Sequence, residues 1–202
     1  MLMKQLAQLI EEGRITDPQS ARGRLLAKAA HLFKEKGYER TTVRDLAASV
    51  GIQSGSIFHH FRSKEDILFA VMEETILYIT AKMREALEQA PTPRDRLLAL
   101  LRCELESVLG GTGEAMTVLV YEWRSLSEPR QDEILKLRDQ YEGLWLDTLS
   151  EARDAGLVKG DVAVLRRFLT GALSWTITWY KPEGSMTVEE LAQQALYLVV
   201  KE

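Results

Sequence analysis

Between Ala21 and Phe61 apolar residues recur at intervals of three and four in short bursts, each ended by a glycine or opened by a polar cap. The two bursts after Gly37 are too short to be stable helices alone. Leu25, Leu26, Ala29, Leu32 and Phe33 make one face of a helix over Ala21–Lys36, which Gly37 terminates. Thr42, with Asp45 three residues on, carries the capping-box pattern. It opens a second helix of barely two turns, in which Leu46, Ala47 and Val50 face inward before Gly51 closes it. Ser54 is placed to cap a third short helix reaching Phe61, with Ile57 and Phe61 four apart on one face. Three such segments fold only by burying their apolar stripes on one another, so a small three-helix unit with a tight glycine turn inside it is dictated here.

The rest of the chain is also helical. Its β-branched runs are short, none alternates cleanly, and no Asn-Gly or Asp-Gly turn joins two of them. Ser63 with Asp66 repeats the capping signature ahead of a long helix expected to reach about residue 89, which Pro91 and Pro93 end. Further helices are expected over residues 94–109, 113–125, 128–155, 162–180 and 187–201, separated by "GGTG", "SEP", "AGLVKGD" and "KPEGS". The expected architecture is all-α: an extension over 1–20 with an amphipathic start, a three-helix domain over 21–66, a connecting helix over 64–89, and a helical body over 90–202.

Charge divides the chain unevenly. From Ser20 to Lys64 nine basic residues face three acids, a balance of +6, while the whole chain carries −4, leaving −10 for the remainder. A basic segment ahead of an acidic body points to an anionic partner for that segment, nucleic acid or a membrane surface. The membrane option conflicts with the apolar faces of the three short helices, which are needed to pack against one another. The start "MLMKQLAQLIEEGRITD" lacks a basic stretch followed by a cleavable apolar segment, and no apolar run has the roughly 20 residues that span a bilayer. A cytoplasmic protein with no membrane partner is expected. The single cysteine, Cys103, excludes an internal disulfide and a multi-thiolate metal site within one chain. Catalytic patterns are missing too: His59 and His60 are adjacent and diverge by about 100° on a helix, and no Gly-x-Ser-x-Gly elbow, phosphate loop or Glu-x-x-His pair occurs. No enzyme, metal or cofactor is expected.

A short helix, a glycine turn and a second short helix within a basic segment form the layout of a helix-turn-helix, whose second member enters the DNA major groove. With Ile57 and Phe61 turned inward, Gly55, Ser56 and His59 fall on the outer face, with Gln53 at the entrance and Ser54 as cap. Glutamine and imidazole hydrogen-bond base edges, and small residues let the backbone approach the duplex. Thr42 and Arg44, at the start of the preceding helix, are placed to hold phosphates. Lys64 stands in the first turn of the long helix, at the positive end of its macrodipole, where a phosphate would offset the misplaced cation.

The segment "TTVRDLAASVGIQSGSIFHHFRSKEDIL" resembles the DNA-binding domain of TetR-family transcriptional regulators, a match running continuously over about residues 22–72. The family usually has tyrosine where this chain has Phe58, so the phosphate contact of a phenol is replaced here by ring packing against sugar and backbone. The resemblance implies that His60 packs and orients its helix. In the body, "YEWRSLSE", "AGLVKGD" and "WYKPEGSMTVEELAQQAL" are similar, more loosely, to TetR regulators of fatty-acid and steroid catabolism, whose effectors are often acyl-CoA thioesters. That likeness implies a repressor released from a palindromic double-stranded DNA operator by a small-molecule effector, a drug-like ligand being the alternative. The body is rich in large aromatic residues, which suits a plain core or an amphiphilic pocket. The pocket reading takes Cys103, Met116, Val120, Trp123, Tyr141, Trp145 and Trp175 as its lining. A homodimer is expected to form through the last two helices, with Phe168, Leu169, Ala172, Leu191, Gln194, Ala195 and Leu198 across the axis.

Overall fold

A computed structural model describes residues 4–201. Among these residues there are ten α-helices, two single 3-10 turns and no strand. The helices are α1 (Lys4–Glu11), α2 (Ala21–Lys36), α3 (Val43–Ser49), α4 (Ser54–Ile57), α5 (Lys64–Glu88), α6 (Pro93–Leu109), α7 (Gly113–Tyr121), α8 (Glu128–Asp154), α9 (Val162–Trp175) and α10 (Val188–Val199). The expected 113–125 and 162–180 helices each end early and tighten into a 3-10 turn, Trp123–Ser125 and Thr176–Thr178.

The chain divides into two compact units, each built from two stretches of sequence. The first comprises the chain up to Tyr78 together with Thr112–Arg138, and the second comprises Ile79–Gly111 together with the chain from Asp139 onward. Of the three dividing points, two fall inside α5 and α8 and the third lies between α6 and α7. Pro93 stands at the first position of α6 behind the cap Thr92, whose hydroxyl oxygen accepts the Asp95 amide.

In the first unit the three short helices pack as their stripes demand. Leu25, Phe33, Leu46, Ile57 and Phe61 are buried together with Ile67 and Leu68 from the first turns of α5. The Thr42 capping box forms: the Asp45 amide donates to the Thr42 hydroxyl at 3.1 Å, and the Thr42 amide donates to the Asp45 carboxylate at 2.9 Å. That second bond is the main reason the Asp45 carboxyl lies below its ordinary pKa. Gly37 and Gly51 end α2 and α3 at φ +83° and +72°, where a side chain would be strained. α7 packs on α2, which explains why 112–138 joins the N-terminal unit.

The second unit is built on α6, against which α9 and α10 pack. Leu97, Leu100, Leu101 and Leu105 of α6 are fully buried, as are Trp145 and Leu149 of α8.

Candidate nucleic-acid interface and the buried cluster of the second unit

α4 departs from the expected helix in two ways. Its cap is Gln53, with no side-chain hydrogen bond, and Ser54 is its first helical residue. Only Ser54–Ile57 is α-helical; beyond it the amides of Phe58, His59 and His60 bond three residues back, to Gly55, Ser56 and Ile57, in a tightened 3-10 course. Gly55, the β-branched Ile57 and the aromatic residues that follow give the segment little intrinsic helicity, so packing of Ile57 and Phe61 sets its course.

The result is a surface of the expected composition. Gln53, Gly55, Phe58 and His59 are exposed, Ser54 and Ser56 half-buried. Phe58 keeps 56 % of its surface open although a large ring would ordinarily seek the core. A Cβ added at Gly55 would meet nothing within 4 Å, so internal packing does not require a glycine there. Thr42 and Arg44 are exposed beside this surface on α3. His60 does not pack as expected: its side chain is exposed, and it is its backbone carbonyl that is held, by Arg22 Nη1 at 2.9 Å. The Arg22 guanidinium also lies 4.1 Å over the Phe61 ring, bracing the end of this segment against α2. His31 is exposed on α2 and bonds Glu114 at 2.9 Å.

Lys64 has an internal partner that sequence reasoning does not find. Its ammonium donates to the Tyr38 carbonyl at 2.9 Å and sits 4.0 Å over the Tyr38 ring. These bonds offset its place at the positive helix end without recourse to a phosphate. A lysine carries three N–H donors, of which the Tyr38 carbonyl takes one. Tyr38 is itself fixed from the other side, its amide donating to Glu122 at 3.2 Å.

The residues expected to line a pocket are spread over both units: Met116, Val120 and Trp123 belong to the first, Cys103, Tyr141, Trp145 and Trp175 to the second. Val120 and Trp175 stand on the surface, at 56 % and 66 % exposure. Val120 follows the inward pair Val118 and Leu119, and Trp175 lies off the buried stripe of Leu169, Leu173 and Thr176. Cys103 is buried, and that burial pushes its thiol up to about 11, which makes it an inert core residue.

Tyr141 and Trp145 come together on a charged group that sequence reasoning misses. The buried Glu104 of α6 accepts from the Tyr141 hydroxyl and from Trp145 Nε1, the latter at 3.2 Å. Arg166 of α9, 3 % exposed, donates from Nε to Glu142 at 2.9 Å and from Nη2 to Glu142 and to Tyr141 Oη, both at 3.1 Å. Its guanidinium lies 4.4 Å over the Trp145 ring. Burial, reinforced by Glu104, holds the Tyr141 phenol well above its ordinary pKa, so it stays protonated. A signal for this cluster does exist in the sequence. In "LLALLRCELESVL" Glu104 falls on the stripe of Leu97, Leu100, Leu101 and Leu105 rather than on the polar face, and Arg166 precedes Leu169 and Leu173 on the inward face of α9.

The expected dimer residues also divide. Phe168 and Leu198 are 74 % and 89 % exposed, with Ala172 and Gln194 exposed and Ala195 half-buried. Leu169 and Leu191 face inward, 6 % and 7 % exposed, and are corrected to core residues of the second unit. Both helices are apolar on more than one side, so sequence alone does not say which side meets α6.

The same organisation recurs among known proteins. Residues 25–71 match the family described as bacterial regulatory proteins, tetR family, and residues 90–202 match the tetracyclin repressor-like C-terminal domain. The HTH-type transcriptional repressor KstR2 of Mycobacterium tuberculosis is 31 % identical over 183 residues, covering 90 % of this chain and 92 % of that protein. Its solved structure, described as a ketosteroid transcriptional regulator, superimposes with a TM-score of 0.82 over 94 % of this chain and all of that one. A solved structure described as superantigen pfit is 61 % identical, with a TM-score of 0.87 and 98 % of each chain covered. The fatty acid metabolism regulator protein of Bacillus subtilis is 25 % identical, over 87 % of this chain and 92 % of that protein. The chain belongs to the TetR family of bacterial transcriptional regulators.

Proposed function

We propose that this regulator is a homodimeric repressor that binds a two-fold-symmetric operator through α4 and leaves it when the second unit takes up an amphiphilic lipid metabolite, an acyl-CoA thioester first among them. The observation that carries this reading is the 31 % identity, across 90 % of the chain and body included, to a repressor whose structure is described as a ketosteroid regulator. In this reading Gln53, Ser56 and His59 face bases, Ser54, Gly55 and Phe58 approach sugar and backbone, and Thr42, Arg44 and Lys64 hold phosphates. Phe168, Ala172, Gln194, Ala195 and Leu198 form the dimer face, whose exposed apolar surface a monomer would leave in water. Ligand and operator are coupled through the reciprocal linkage of two sites, typically about 1 to 3 kcal/mol.

The test is a titration of the operator complex with acyl-CoA thioesters, free fatty acids and cationic drugs, following operator anisotropy and tryptophan emission. Thioesters are expected to weaken operator binding and shift the emission over one concentration range. A drug that releases operator where every thioester fails replaces the lipid reading with a drug-sensing one.

The 61 % identity to a protein described as a superantigen supports a second reading, in which an exposed surface carries superantigen activity. T-cell stimulation by endotoxin-free protein, compared between the wild type and a Ser56→Ala/His59→Ala variant, separates the two: activity that survives loss of operator binding belongs to a surface other than α4.

A further inference from the structure

The recognition segment α4 has little of its own to hold it. No side chain caps its start, its α-helical part is Ser54–Ile57, and the amides of Phe58, His59 and His60 follow in a tightened turn. What fixes its exit is Arg22 of α2, whose Nη1 donates to the His60 carbonyl at 2.9 Å and whose guanidinium covers the Phe61 ring at 4.1 Å. Packing does not fix Arg22 in turn. It lines a cavity of about 310 Å³ with His60, Arg62, Phe69 and Glu73, in which a guanidinium has room to swing toward the half-buried Glu73 carboxyl.

The hold on Arg22 comes from the segment ahead of the three-helix domain. Arg22 Nε donates to the Thr16 hydroxyl at 3.0 Å, and that hydroxyl donates to Glu74 Oε1 at 2.8 Å. The Thr16 amide donates to Glu74 Oε2 at 2.9 Å, and Arg22 Nη2 lies 3.8 Å from Oε1. The roles are forced: a guanidinium only donates and a carboxylate only accepts, so a hydroxyl between them can bridge both. The Glu74 side chain is 15 % exposed, and both its oxygens are engaged here, as a carboxylate largely withdrawn from water requires. The segment is also closely seated. Ile15 is buried, the Ser20 hydroxyl joins the Asp17 carbonyl to the Gly23 amide, and a Cβ at Gly23 would lie 2.2 Å from the Asp17 carbonyl oxygen. We infer that Thr16 and Glu74 are positioning residues for DNA reading: through Arg22 they fix the exit of α4, which makes residues 15–20 part of the reading apparatus. This rests on the reading of α4 as the DNA-contacting element, and it names the residues that aim it.

The test uses the full chain and an operator selected from a random duplex library. Thr16→Val keeps the side chain's shape and removes the bridge, Thr16→Ser keeps the bridge, and Glu74→Gln weakens it from the other end. Thr16→Val and Glu74→Gln are each expected to lose roughly fivefold to tenfold in operator affinity. Affinity for random DNA and the slope of the salt dependence should stay unchanged, since no phosphate contact is lost. The Thr16→Val/Glu74→Gln double variant should lose no more than the worse single one, because both act through Arg22. Thr16→Ser should bind as the wild type does. In the free protein, hydrogen exchange at the amides of residues 58–61 should quicken severalfold in Thr16→Val and not in Thr16→Ser. Unchanged operator affinity in both single variants, a parallel loss on operator and random DNA, impairment of Thr16→Ser equal to that of Thr16→Val, or unchanged exchange overturns the assignment. Failure of the underlying reading looks different: the Ser56→Ala/His59→Ala variant then binds operator as the wild type does, and the assignment falls with that reading even where exchange quickens in Thr16→Val.

Discussion

Replacing Lys64 with methionine keeps most of its apolar stem and removes its charge, and the structure and the proposed DNA complex give that charge two separable tasks. Within the chain, the ammonium bonds the Tyr38 carbonyl at 2.9 Å and covers the Tyr38 ring at 4.0 Å. A hydrogen bond from a charged donor contributes about 1.5 to 3 kcal/mol and a cation over a ring about 0.5 to 1. Lys64 is half-buried, so solvent takes part of both, leaving a net loss of about 2 kcal/mol. For a chain of this length that lowers the melting temperature by about 4 to 8 °C. On DNA, removing one phosphate interaction reduces the slope of log K against log salt by about 0.9, so a dimer deprived of two should flatten by about 1.8. Urea unfolding and operator binding over a range of salt concentrations, on the same preparation, measure both. A destabilised variant with an unaltered salt slope would refute the phosphate role and leave Lys64 as a brace for Tyr38. A flattened slope without destabilisation would refute the brace.

Other substitutions probe the remaining assignments. Ser56→Ala and His59→Ala should change operator preference by about 1 to 3 kcal/mol at single base pairs while leaving binding to random DNA nearly intact, measured by competition with substituted operators. Phe168→Glu with Leu198→Glu should give a folded monomer by sedimentation with greatly weakened operator binding, because both side chains are exposed and their replacement opens no cavity; a stable dimer would move the axis elsewhere. Cys103, with its thiol pushed up to about 11 by burial, should resist labelling at mildly alkaline pH in the native protein and react fully in denaturant.

How far the sequence reveals this molecule depends on whether a local signal survives its tertiary setting. Caps and glycines act within a few residues, so Thr42 with Asp45, Ser63 with Asp66 and the turns at Gly37 and Gly51 appear where the pattern places them. α4 has no such signal: its residues disfavour a helix, and only packing of Ile57 and Phe61 shapes it, which is why Ser54 is mistaken for a cap. The exposure of Gln53, Gly55 and His59 follows from those two inward residues and is therefore readable, whereas Ser56, expected beside them, is half-buried, and Phe58 enters only through the family resemblance. The C-terminal helices are apolar on several sides, so Leu169 and Leu191 cannot be told from Phe168 and Leu198 before it is known which side meets α6. Glu104 and Arg166 are overlooked for the opposite reason. Charged residues in helices usually face water, and only their position on apolar stripes betrays that these two are inside.

The central claim, that this chain reads DNA through the surface around α4 as a symmetric dimer, is tested most directly by selection of bound sequences from a random duplex library with the full chain. Enrichment is expected of an inverted repeat whose half-site centres lie about one helical turn, roughly 34 to 36 Å, apart, with loss of that enrichment in the Ser56→Ala/His59→Ala variant. Recovery of no common sequence, or of the same sequence with the variant, would contradict it.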